Sequence, residues 1–494
     1  MHVLIASSEA VPFAKTGGLA DVASALAKAL SHTGNRVTLV LPYYSQFRSA
    51  NWPAWQSTET TLTVPVGQHQ KIATLLRAEF PNSAVDVLLI DAPEYFDRPS
   101  LYQQDGKDYD DNCARFVFFS RAVMEITRTM EPHPDIIHCN DWQTGLVPAL
   151  LELECRQHGH LEQVASVMTI HNLAFQGRFW HWDMELTGLD WKHFNWKELE
   201  SYGELNLLKA GLVYADLITT VSPTYSKEIQ TQEFGCGMDP VLRSRADDVV
   251  GILNGVDDEV WNPEIDPHLK TNYTAETVVD GKLACKTDLQ QQLGLPRRNE
   301  PPLFGMVSRM TNQKGLDLIA GCIEDVLAAD VQFAFLGTGD EHYEELLRDL
   351  ARRYPEKVSA TIGFDEALAH RIEAGADIYL MPSAYEPCGL NQMYSLAYGT
   401  VPIVRATGGL ADSVVDATPE SLAAGNANGF SFREYSVPVL CDQMFRAMQQ
   451  YQNKTSWLPL IKTGMTKDWS WKRSAAEYQH VYEKALSKRQ FAKT

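Results

Sequence analysis

The sequence lacks the features that mark secreted, membrane-spanning or disulfide-stabilised proteins. Its eight cysteines form no Cys-x-x-Cys pair, and cysteines scattered in this way are typical of reduced thiols in a cytoplasmic protein. No apolar run is long enough to span a membrane, which takes about 20 residues. Residues 1–30 have neither the basic start nor the unbroken apolar stretch of a signal peptide. We therefore expect a cytoplasmic protein without a membrane partner.

Basic residues are also fewer than acidic residues. There are 43 Lys and Arg residues against 63 Asp and Glu residues, so the formal net charge is −20, and no basic tract is present. This balance argues against a nucleic acid partner and implies that any phosphate site is built locally. The chain contains no low-complexity segment and no repeat of fixed period. Its 494 residues are too many for one core, so we expect two or three domains.

One stretch near the start combines a strand, a glycine turn and a helix. His2–Ala6 is an apolar run, Lys15–Asp21 has the sequence Lys-Thr-Gly-Gly-Leu-Ala-Asp, and Val22–Leu30 has apolar residues at helical spacing. The start of a helix leaves backbone N–H groups unpaired, so this turn predicts a seat for an anion. Gly17 and Gly18 lack a Cβ and let a ligand approach the backbone closely. The alternative is a tight connection with a solvated lysine.

The same Thr-Gly-Gly-Leu-Ala-Asp sequence recurs at Thr407–Asp412, again after an apolar run, Val401–Val404. Two such turns far apart predict two similar α/β units. Apolar strands alternate with amphipathic helices such as Cys113–Met130, which predicts parallel sheets with helices on both faces. Functional residues are then expected just after each strand, because ligands bind at the carboxyl ends of the strands. The other predicted strands are Arg36–Leu41, Val85–Ile90, Asp135–Cys139, Val164–Ile170, Leu217–Val221, Val249–Leu253, Leu303–Val307, Val331–Leu336, Val358–Ile362 and Asp377–Met381.

The first half of the chain has candidate residues at such strand ends. His171 comes directly after Val164–Ile170, although a histidine there is more often packed or capping than catalytic. Asp141 and Trp142 follow Asp135–Cys139. A carboxylate beside an indole suits a sugar, because it offers a hydroxyl acceptor next to an aromatic platform. Asp141 could equally cap the helix that follows it.

The second half carries two charged turns. Arg309 and Lys314 lie between the strand Leu303–Val307 and a predicted helix. Two cations beside a helix start suit a diphosphate, because the guanidinium binds oxygens in a fork and the ammonium acts as a point charge. Glu386 lies in Ala384–Leu390, a turn with Pro and Gly at a helix start. Burying this carboxylate is costly unless something binds it. The hydroxyl groups of a sugar would do so, and a solvated cap is the alternative.

These motifs occur in one order along the chain, namely Lys15–Leu19, His171–Asn172, Arg309–Lys314, Glu386–Leu390 and Thr407–Leu410. Supporting stretches are Asp110–Asn112 with Arg115 and Phe116, Glu233–Met238, and Ile252–Asp257. Together they resemble the bacterial glycogen synthase and plant starch synthase family of retaining glycosyltransferases. The resemblance extends from His2 to Trp471 and covers nearly the whole chain.

The resemblance implies two Rossmann-like α/β domains that face a deep cleft, the GT-B fold. It implies an N-terminal acceptor-side domain over residues 1–255 and a C-terminal sugar-nucleotide-side domain over residues 256–470. A final helix within residues 471–494 would pack back on the first domain. The implied reaction transfers glucose from ADP-glucose to the non-reducing end of an α-1,4-glucan with retention of configuration. Neither a metal nor a cofactor is implied, and the expected partners are the sugar nucleotide and glycogen.

The resemblance also assigns roles to residues. The implied catalytic residues are Lys15, His171, Arg309, Lys314 and Glu386. The implied donor-binding residues are Lys15, Gly18, Asn254, Arg309, Lys314, Glu386, Cys388, Gly389, Leu390, Thr407 and Gly408, and the implied acceptor-binding residues are Asp141 and Trp142. Many relatives outside the family carry a second glutamate eight positions after the first, where this chain has Tyr394. The synthase family is similar to this chain at that position too.

Other interpretations stay open from the sequence. A UDP-glucose-using synthase or another retaining GT-B enzyme, such as a phosphorylase or a sucrose-forming transferase, would share the fold. A nicotinamide dehydrogenase also has Rossmann-like units, but the first turn lacks Gly-x-Gly-x-x-Gly and a later acidic ribose partner. An inactive glucan-binding protein is the remote alternative, against which the intact set of charged motif residues argues.

Overall fold

The computed structural model describes residues 1–45 and 55–491. The chain divides into two units. The first comprises Met1–Gly255 together with the C-terminal segment that begins at Trp471, and the second comprises Val256–Ser470. Each unit has its own sheet, parallel or mostly parallel, with flanking helices. The predicted α/β class with two Rossmann-like domains is therefore confirmed.

The main sheet of the first unit contains nine strands among the described residues. In spatial order they are Val249–Gly251, Leu217–Thr220, Ala165–Ile170, Ile136–Asn140, His2–Ala6, Arg36–Pro42, Asp86–Asp91, His69–Glu79 and Gln56–Val66. The strands up to Asp86–Asp91 run parallel. Central strands are buried at every residue because helices cover both faces. The helices include Gly18–His32, Asn112–Thr129, Leu146–Leu150, Leu207–Tyr214, Pro223–Glu228, Asp239–Ser244 and Trp471–Phe491.

One edge of this sheet departs from the expected parallel arrangement. Gln56–Val66 and His69–Glu79 form an antiparallel hairpin, and His69–Glu79 pairs antiparallel with Asp86–Asp91. Most side chains of Gln56–Val66 are polar and exposed, so this strand lacks the apolar run that identifies a buried strand. The hairpin turns at Gly67, whose φ of 58° suits glycine.

The second unit has a six-stranded sheet within the described residues, and all its strands run parallel. In spatial order they are Val358–Ile362, Gln332–Gly337, Leu303–Val307, Ile378–Met381, Val401–Arg405 and Phe430–Phe432. Phe304 and Phe333 stack across neighbouring strands with ring centroids 5.0 Å apart. The helices are Val278–Gln292, Leu316–Leu327, Glu341–Arg353, Glu366–Gly375, Asn391–Ala397, Gly408–Ser413, Pro419–Ala424, Val437–Gln452 and Lys454–Thr466.

The predicted element positions agree closely with these bounds. Leu303–Val307 and Val358–Ile362 are strands over the predicted residues, and every other predicted strand begins and ends within two residues of its prediction. The helix predicted over Cys113–Met130 lies at Asn112–Thr129. The first helix begins at Gly18 rather than Val22, because a first turn that contains Gly18 and Asp21 interrupts the apolar periodicity.

The final helix, Trp471–Phe491, packs within the first unit. Tyr478 and Tyr482 are buried, and the hydroxyl of Tyr482 is hydrogen-bonded to Nδ1 of His138 at 2.8 Å. The hydroxyl of Ser474 donates to the carbonyl of Leu253 at 2.6 Å. Polar contacts as well as apolar burial therefore set the position of this helix.

A buried ion cluster also fixes this helix to the sheet. Asp216 is paired with Arg156 at 2.7 Å and with Arg489 of the helix, and it accepts the N–H of Ser166 at 2.7 Å. Burial acts to raise the pKa of Asp216, but the two guanidinium groups hold that pKa below its usual value. Arg156 depends on this carboxylate, because its side chain is only 4% exposed.

All eight cysteines are free, and Cys236 is the exposed one among them. Within residues 1–45 and 55–491, every helix is too short or too polar to cross a bilayer.

Replacing Asp216 by Asn should destabilise the first unit by about 3–5 kcal/mol at pH 7, because the buried guanidinium of Arg156 loses its buried counterion and keeps only the partly exposed Glu152, at 3.0 Å. Asp86→Asn is the matched control. It breaks an exposed pair with Arg77 and should change the free energy of unfolding by about 1 kcal/mol or less. Denaturant unfolding measures both values.

The effect of Asp216→Asn should shrink in acid. A lowered pKa means that the carboxylate stabilises the fold at neutral pH and that this contribution is lost as the pH falls through that pKa. Equal destabilisation by the two substitutions at pH 7 would contradict a structural role for the buried cluster.

Candidate functional site

The first unit presents its candidate residues where the strand order of the sheet reverses. The reversal lies between His2–Ala6 and Ile136–Asn140. Connections on either side of such a point cross opposite faces of the sheet, which leaves a crevice outside the carboxyl ends of the strands. The loop of Lys15 follows the first of these strands, and Asp141 follows the second.

The loop of Lys15 is held by Glu9. The carboxylate of Glu9 accepts hydrogen bonds from the N–H and hydroxyl of Thr16 at 2.5 and 2.7 Å and from the N–H of Gly17 at 3.3 Å. The hydroxyl of Tyr102 donates to the same carboxylate at 2.7 Å. The expectation of unpaired N–H groups is therefore wrong for Thr16 and Gly17, because a side chain of the protein occupies that place.

Lys15 itself lies on the exposed side of the loop. Its Nζ is 2.8 Å from Oδ1 of Asp21, and the two side chains are 52% and 31% exposed. An exposed ion pair is weak, so Lys15 can turn toward an anion at little cost. A Cβ placed on Gly17 or Gly18 would meet nothing within 4 Å, which leaves the backbone open to a ligand.

Asp141 is buried in an unusual backbone conformation, with a φ of 54°. Non-glycine residues in this left-handed region are uncommon and cluster at functional sites. Its Oδ1 accepts the N–H of His171 at 2.7 Å and does not cap the helical turn that follows, so the capping alternative is wrong. Burial raises the pKa of Asp141 to about 7, against the lowering effect of the N–H groups of His171 and Asn172.

His171 lies partly exposed at the end of Ala165–Ile170. Its Nε2 is 2.9 Å from Oδ1 of Asn140, an arrangement in which Nε2 donates and the amide orients the ring. Burial lowers the pKa of His171 to about 3, so the imidazole is neutral at pH 7. Asn140 is the last residue of its strand and is not among the predicted site residues.

Trp142 packs within an aromatic cluster. Its ring centroid lies 4.9 Å from that of Phe116, 5.7 Å from that of Phe179 and 6.4 Å from that of Tyr102. A Cβ on Gly177 would lie 2.4 Å from the indole, so the chain passes directly against the ring. The protein thus already covers part of the predicted aromatic platform, and the rest is exposed.

Asn254 is buried, and its Oδ1 has no hydrogen-bond partner among the described residues. A buried oxygen without a donor is costly and uncommon, which is what a ligand-binding position would show before the ligand supplies the donor. A Cβ on the neighbouring Gly255 would lie 2.5 Å from Cα of Trp471. The segment is therefore anchored against the final helix.

The second unit repeats the arrangement of the first. Its strand order reverses between Leu303–Val307 and Ile378–Met381. The loop that carries Arg309 and Lys314 follows the first strand, and the turn that carries Glu386 follows the second. The topology therefore brings the two charged turns of the second half to one crevice.

Lys314 and Glu386 are in contact. The Nζ of Lys314 lies 2.6 Å from Oε2 of Glu386, and the side chains are 17% and 9% exposed. The hydroxyl of Ser383 donates to the same oxygen at 3.1 Å. Each charge offsets the desolvation of the other, so the carboxylate is bound by the chain itself and is not a solvated cap.

Arg309 is exposed on the same loop, and its Nη2 donates to the side chain of Gln313 at 3.1 Å. The backbone of Gln313 accepts the N–H of Ala384 at 2.9 Å, which ties the loop to the Glu386 turn. Gly315 has a φ of 78°, and a Cβ there would lie 2.3 Å from the carbonyl oxygen of Pro382. Only glycine fits at this position.

The second Thr-Gly-Gly turn packs on the Glu386 turn. A Cβ on Gly408 would lie 2.0 Å from the carbonyl oxygen of Glu386, and one on Gly409 would lie 2.1 Å from that of Cys388. The N–H of Gly409 donates to the carbonyls of Glu386 and Pro387 at 3.3 and 3.1 Å. These glycines therefore allow two turns to pack closely, whereas Gly17 and Gly18 border open space.

The remaining predicted donor residues surround the same turns. Thr407 is buried beside Gly408. Gly389 has a φ of 70°, and a Cβ there would lie 2.4 Å from Oε1 of Gln392. Leu390 directly precedes the helix Asn391–Ala397.

Apart from Asn254, whose segment lies against the final helix, the predicted residues thus form one group in each unit. In the first, Glu9 and Tyr102 connect the Lys15 loop with Trp142, and Asp141 holds the backbone of His171. Sequence reasoning missed four participants, which are Glu9, Tyr102, Asn140 and Ser383. Asn140 is the last residue of its strand, and Ser383 and Glu9 follow their strands by two and three residues, positions that could have identified them.

The positive charge that these groups offer to an anion comes from Lys15, Arg309 and Lys314. In a chain of net charge −20, such cations are local features. Within the two described stretches of the chain, no three His, Cys, Asp or Glu side chains are grouped so as to hold a metal ion.

Two family models match the chain. One described as starch synthase catalytic domain matches residues 2–244, and one described as glycosyl transferases group 1 matches residues 289–455. The glycogen synthase of Rhodopirellula baltica is 44% identical over 99% of this chain and 98% of its own length. Glycogen synthase 1 of Methylococcus capsulatus is 45% identical over 99% of this chain and 97% of its own length.

Solved structures show the same relationship. The catalytic domain of starch synthase IV from Arabidopsis thaliana, bound to ADP and acarbose, has a TM-score of 0.89 and 32% identity. The match covers 98% of this chain and 99% of that one. A sucrose-phosphate synthase from Thermosynechococcus elongatus, with a TM-score of 0.61 and 16% identity over both full chains, shares the fold alone.

Asp141→Asn should stabilise the first unit above pH 7. The raised pKa of Asp141 means that ionisation of the carboxyl weakens the folded state as the pH rises toward 7. Asn stays uncharged, and its Oδ1 can still accept the N–H of His171. The gain in thermal unfolding temperature should be several degrees at pH 8 and shrink as the pH falls toward 4.

Asp141→Ala serves as the control, because it also removes the acceptor of that N–H and should destabilise the protein at every pH. A pH-independent difference between wild type and Asp141→Asn would contradict the raised pKa.

Proposed function

The chain belongs to the glycogen and starch synthase family of glycosyltransferases, and on that premise we propose that it elongates an α-1,4-glucan with glucose from ADP-glucose. The glucose joins the 4-hydroxyl at a non-reducing end, and the configuration at its anomeric carbon is retained. The contact between Lys314 and Glu386 carries the proposal. This ion pair places a cation, which can bind a phosphate, beside a carboxylate, which can accept hydrogen bonds from hydroxyl groups. Together the two side chains suit a sugar phosphate.

The cations act on the leaving diphosphate. Negative charge develops there as the bond between glucose and phosphate breaks. Arg309 offers a forked contact and Lys314 a point charge. Lys15 is the cation that its own loop in the first unit offers to an anion. Loss of one such preorganised group costs about 10²–10³ in rate, or roughly 3–4 kcal/mol.

Glu386 acts on the glucose ring. Its carboxylate is partly buried and is satisfied by Lys314 and Ser383. When Lys314 turns toward the diphosphate, the carboxylate needs new donors, because an unpaired buried charge is costly. The hydroxyl groups of the donor glucose supply them. Binding of the phosphate and of the sugar is thereby coupled through one ion pair.

The first unit supplies the acceptor side. Asp141 and Trp142 offer a hydroxyl acceptor and an aromatic surface to the glucan. The Nε2–H of the neutral His171 imidazole is bound to Asn140, so the ring can accept a hydrogen bond from the donor sugar, but with a pKa of about 3 it is too weak a base to take up a proton at pH 7. The proton of the attacking hydroxyl therefore goes to the leaving phosphate on the same face of the sugar, which accounts for retention of configuration.

The choice of nucleotide is supported by the Arabidopsis relative, which is bound to ADP. UDP-glucose is the second candidate donor. The sucrose-phosphate synthase shares only the fold and does not favour a sucrose-forming reaction.

Incorporation of labelled glucose into glycogen tests the proposal. We expect transfer from ADP-glucose at a much higher kcat/KM than from UDP-glucose, and a 10²–10³-fold loss of rate, about the cost of one preorganised cation, in Lys314→Ala. Turnover should persist in EDTA, because side chains supply the cations. Arg353→Ala, which removes a cation from an exposed pair with Glu324, should react like the wild type.

Transfer from UDP-glucose alone would overturn the donor assignment. Activity lost in EDTA and restored by Mg²⁺ would overturn the role of the side-chain cations.

Glu386→Gln should separate the sugar and phosphate contacts. We expect turnover to fall strongly, since the carboxylate contact to the glucose is lost. ADP affinity should stay equal or increase, because Lys314 loses its competing counterion. Lys314→Ala should weaken ADP binding about ten- to a hundred-fold, the value of a charge-assisted hydrogen bond of roughly 1.5–3 kcal/mol.

Calorimetric titration of ADP into the folded variants, beside steady-state kinetics, gives both quantities. If Glu386→Gln loses ADP affinity as severely as Lys314→Ala, the proposal that Lys314 contacts the diphosphate and Glu386 contacts the glucose is wrong.

A further inference from the structure

An exposed group of tryptophans lies in the first unit, in a segment that the proposed reaction does not use. Four of the eleven tryptophans of the chain fall within residues 180–196. Trp180, Trp182 and Trp191 are 63%, 50% and 41% exposed, and we name these three side chains the tryptophan surface. Large aromatic side chains usually bury most of their area. A contiguous exposed apolar patch of this kind marks a binding surface.

The rings of the tryptophan surface follow one another in a row. The centroids of Trp180 and Trp182 lie 6.4 Å apart with planes at 64°, and those of Trp182 and Trp191 lie 5.4 Å apart with planes at 72°. The row is therefore stepped, and a flat partner could not cover it. The glucose rings of an α-1,4-glucan turn from unit to unit along a helical chain, so they can meet successive tilted indoles.

Two buried cations hold the backbone of the segment that carries the rings. Arg121 donates through Nε to the carbonyl of Thr187 at 2.8 Å and is paired with Glu154 at 2.7 Å. Lys209 donates through Nζ to the carbonyl of Trp196 at 2.6 Å. The rings thus lie on a preorganised base, which lowers the entropic cost of binding a ligand.

The charge of the segment selects against anionic partners. Residues 178–204 contain six carboxylates and three cations, and one of the cations, Arg178, is paired with Glu204 at 2.6 Å. A phosphate, an anionic lipid or a nucleic acid would meet an excess of negative charge. A neutral polysaccharide would not, and carboxylates accept hydrogen bonds from its hydroxyl groups.

The tryptophan surface follows the predicted acceptor contact directly in the chain. Phe179 precedes Trp180, and its ring lies 5.7 Å from that of Trp142. Gly177, two residues earlier, packs against the same indole. The two proposed glucan contacts are therefore neighbours in the chain and belong to the same unit.

We propose that the tryptophan surface binds a stretch of α-1,4-glucan other than the end that receives glucose. The inference rests on the proposed function, which supplies the glucan and the role of Trp142. A long glucan held in this way stays attached between transfers. A short maltooligosaccharide that cannot reach both places gains little from the tryptophan surface.

Affinity electrophoresis of the full chain in gels that contain glycogen, without sugar nucleotide, tests the inference. The double variant Trp180→Ala, Trp182→Ala should bind glycogen about ten-fold or more weakly than the wild type, because two ring contacts are lost. In transfer assays its KM should rise more for glycogen than for maltotriose. Phe445→Ala removes a 41% exposed ring from the second unit and should bind glycogen like the wild type.

If the double variant does not fold, Trp191→Ala alone repeats the measurement. Wild-type affinity for glycogen in the folded variants would overturn the inference. So would a loss of self-association in the double variant, measured by light scattering, because the surface would then be an interface between copies of this chain. If the wild type transfers glucose from neither nucleotide but binds glycogen through these tryptophans, the proposed function fails and this inference stands.

Discussion

In a parallel sheet each connection between neighbouring strands is right-handed, so the connecting loops part where the strand order reverses. Both sheets of this chain have that reversal beside their first strand, at His2–Ala6 and at Leu303–Val307. The loops of Lys15 and Glu386 owe their positions to it. Because the backbone topology positions these loops, they can carry charged side chains that a packed core would exclude.

Three buried carboxylates in this fold differ in what surrounds them. Asp216 lies between two guanidinium groups, which lower its pKa and keep it charged as part of the framework. Asp141 is buried with backbone donors and, among the residues that the structure describes, no cation at hydrogen-bond distance, and its pKa is raised to about 7. Glu386 has one lysine and one hydroxyl. A carboxylate whose donors are incomplete or exchangeable can accept the hydroxyl groups of a ligand, whereas a fully paired one cannot.

The repeated Thr-Gly-Gly-Leu-Ala-Asp sequence shows how context changes the use of identical residues. At Thr16–Asp21 the glycines border open space and open a helix of 15 residues. At Thr407–Asp412 they pack against the carbonyls of the Glu386 turn and open a helix of six residues. In the second turn only glycine fits, because carbonyl groups of the Glu386 turn lie directly against it. In the first turn a Cβ on either glycine would meet nothing within 4 Å, so a requirement for glycine there would come from the proposed ligand.

Short-range patterns by themselves determined the α/β class, the positions of the buried strands and the turns that carry charge, because apolar periodicity and glycine act over a few residues. These patterns did not predict the edge strand Gln56–Val66, because most of its residues are polar and exposed. Only the tertiary structure decided that Lys314 meets Glu386, 72 residues away, and that Asp141 holds His171. The charge state of a buried carboxylate depends on which distant donors and cations fold around it, and no local pattern in the sequence encodes that environment.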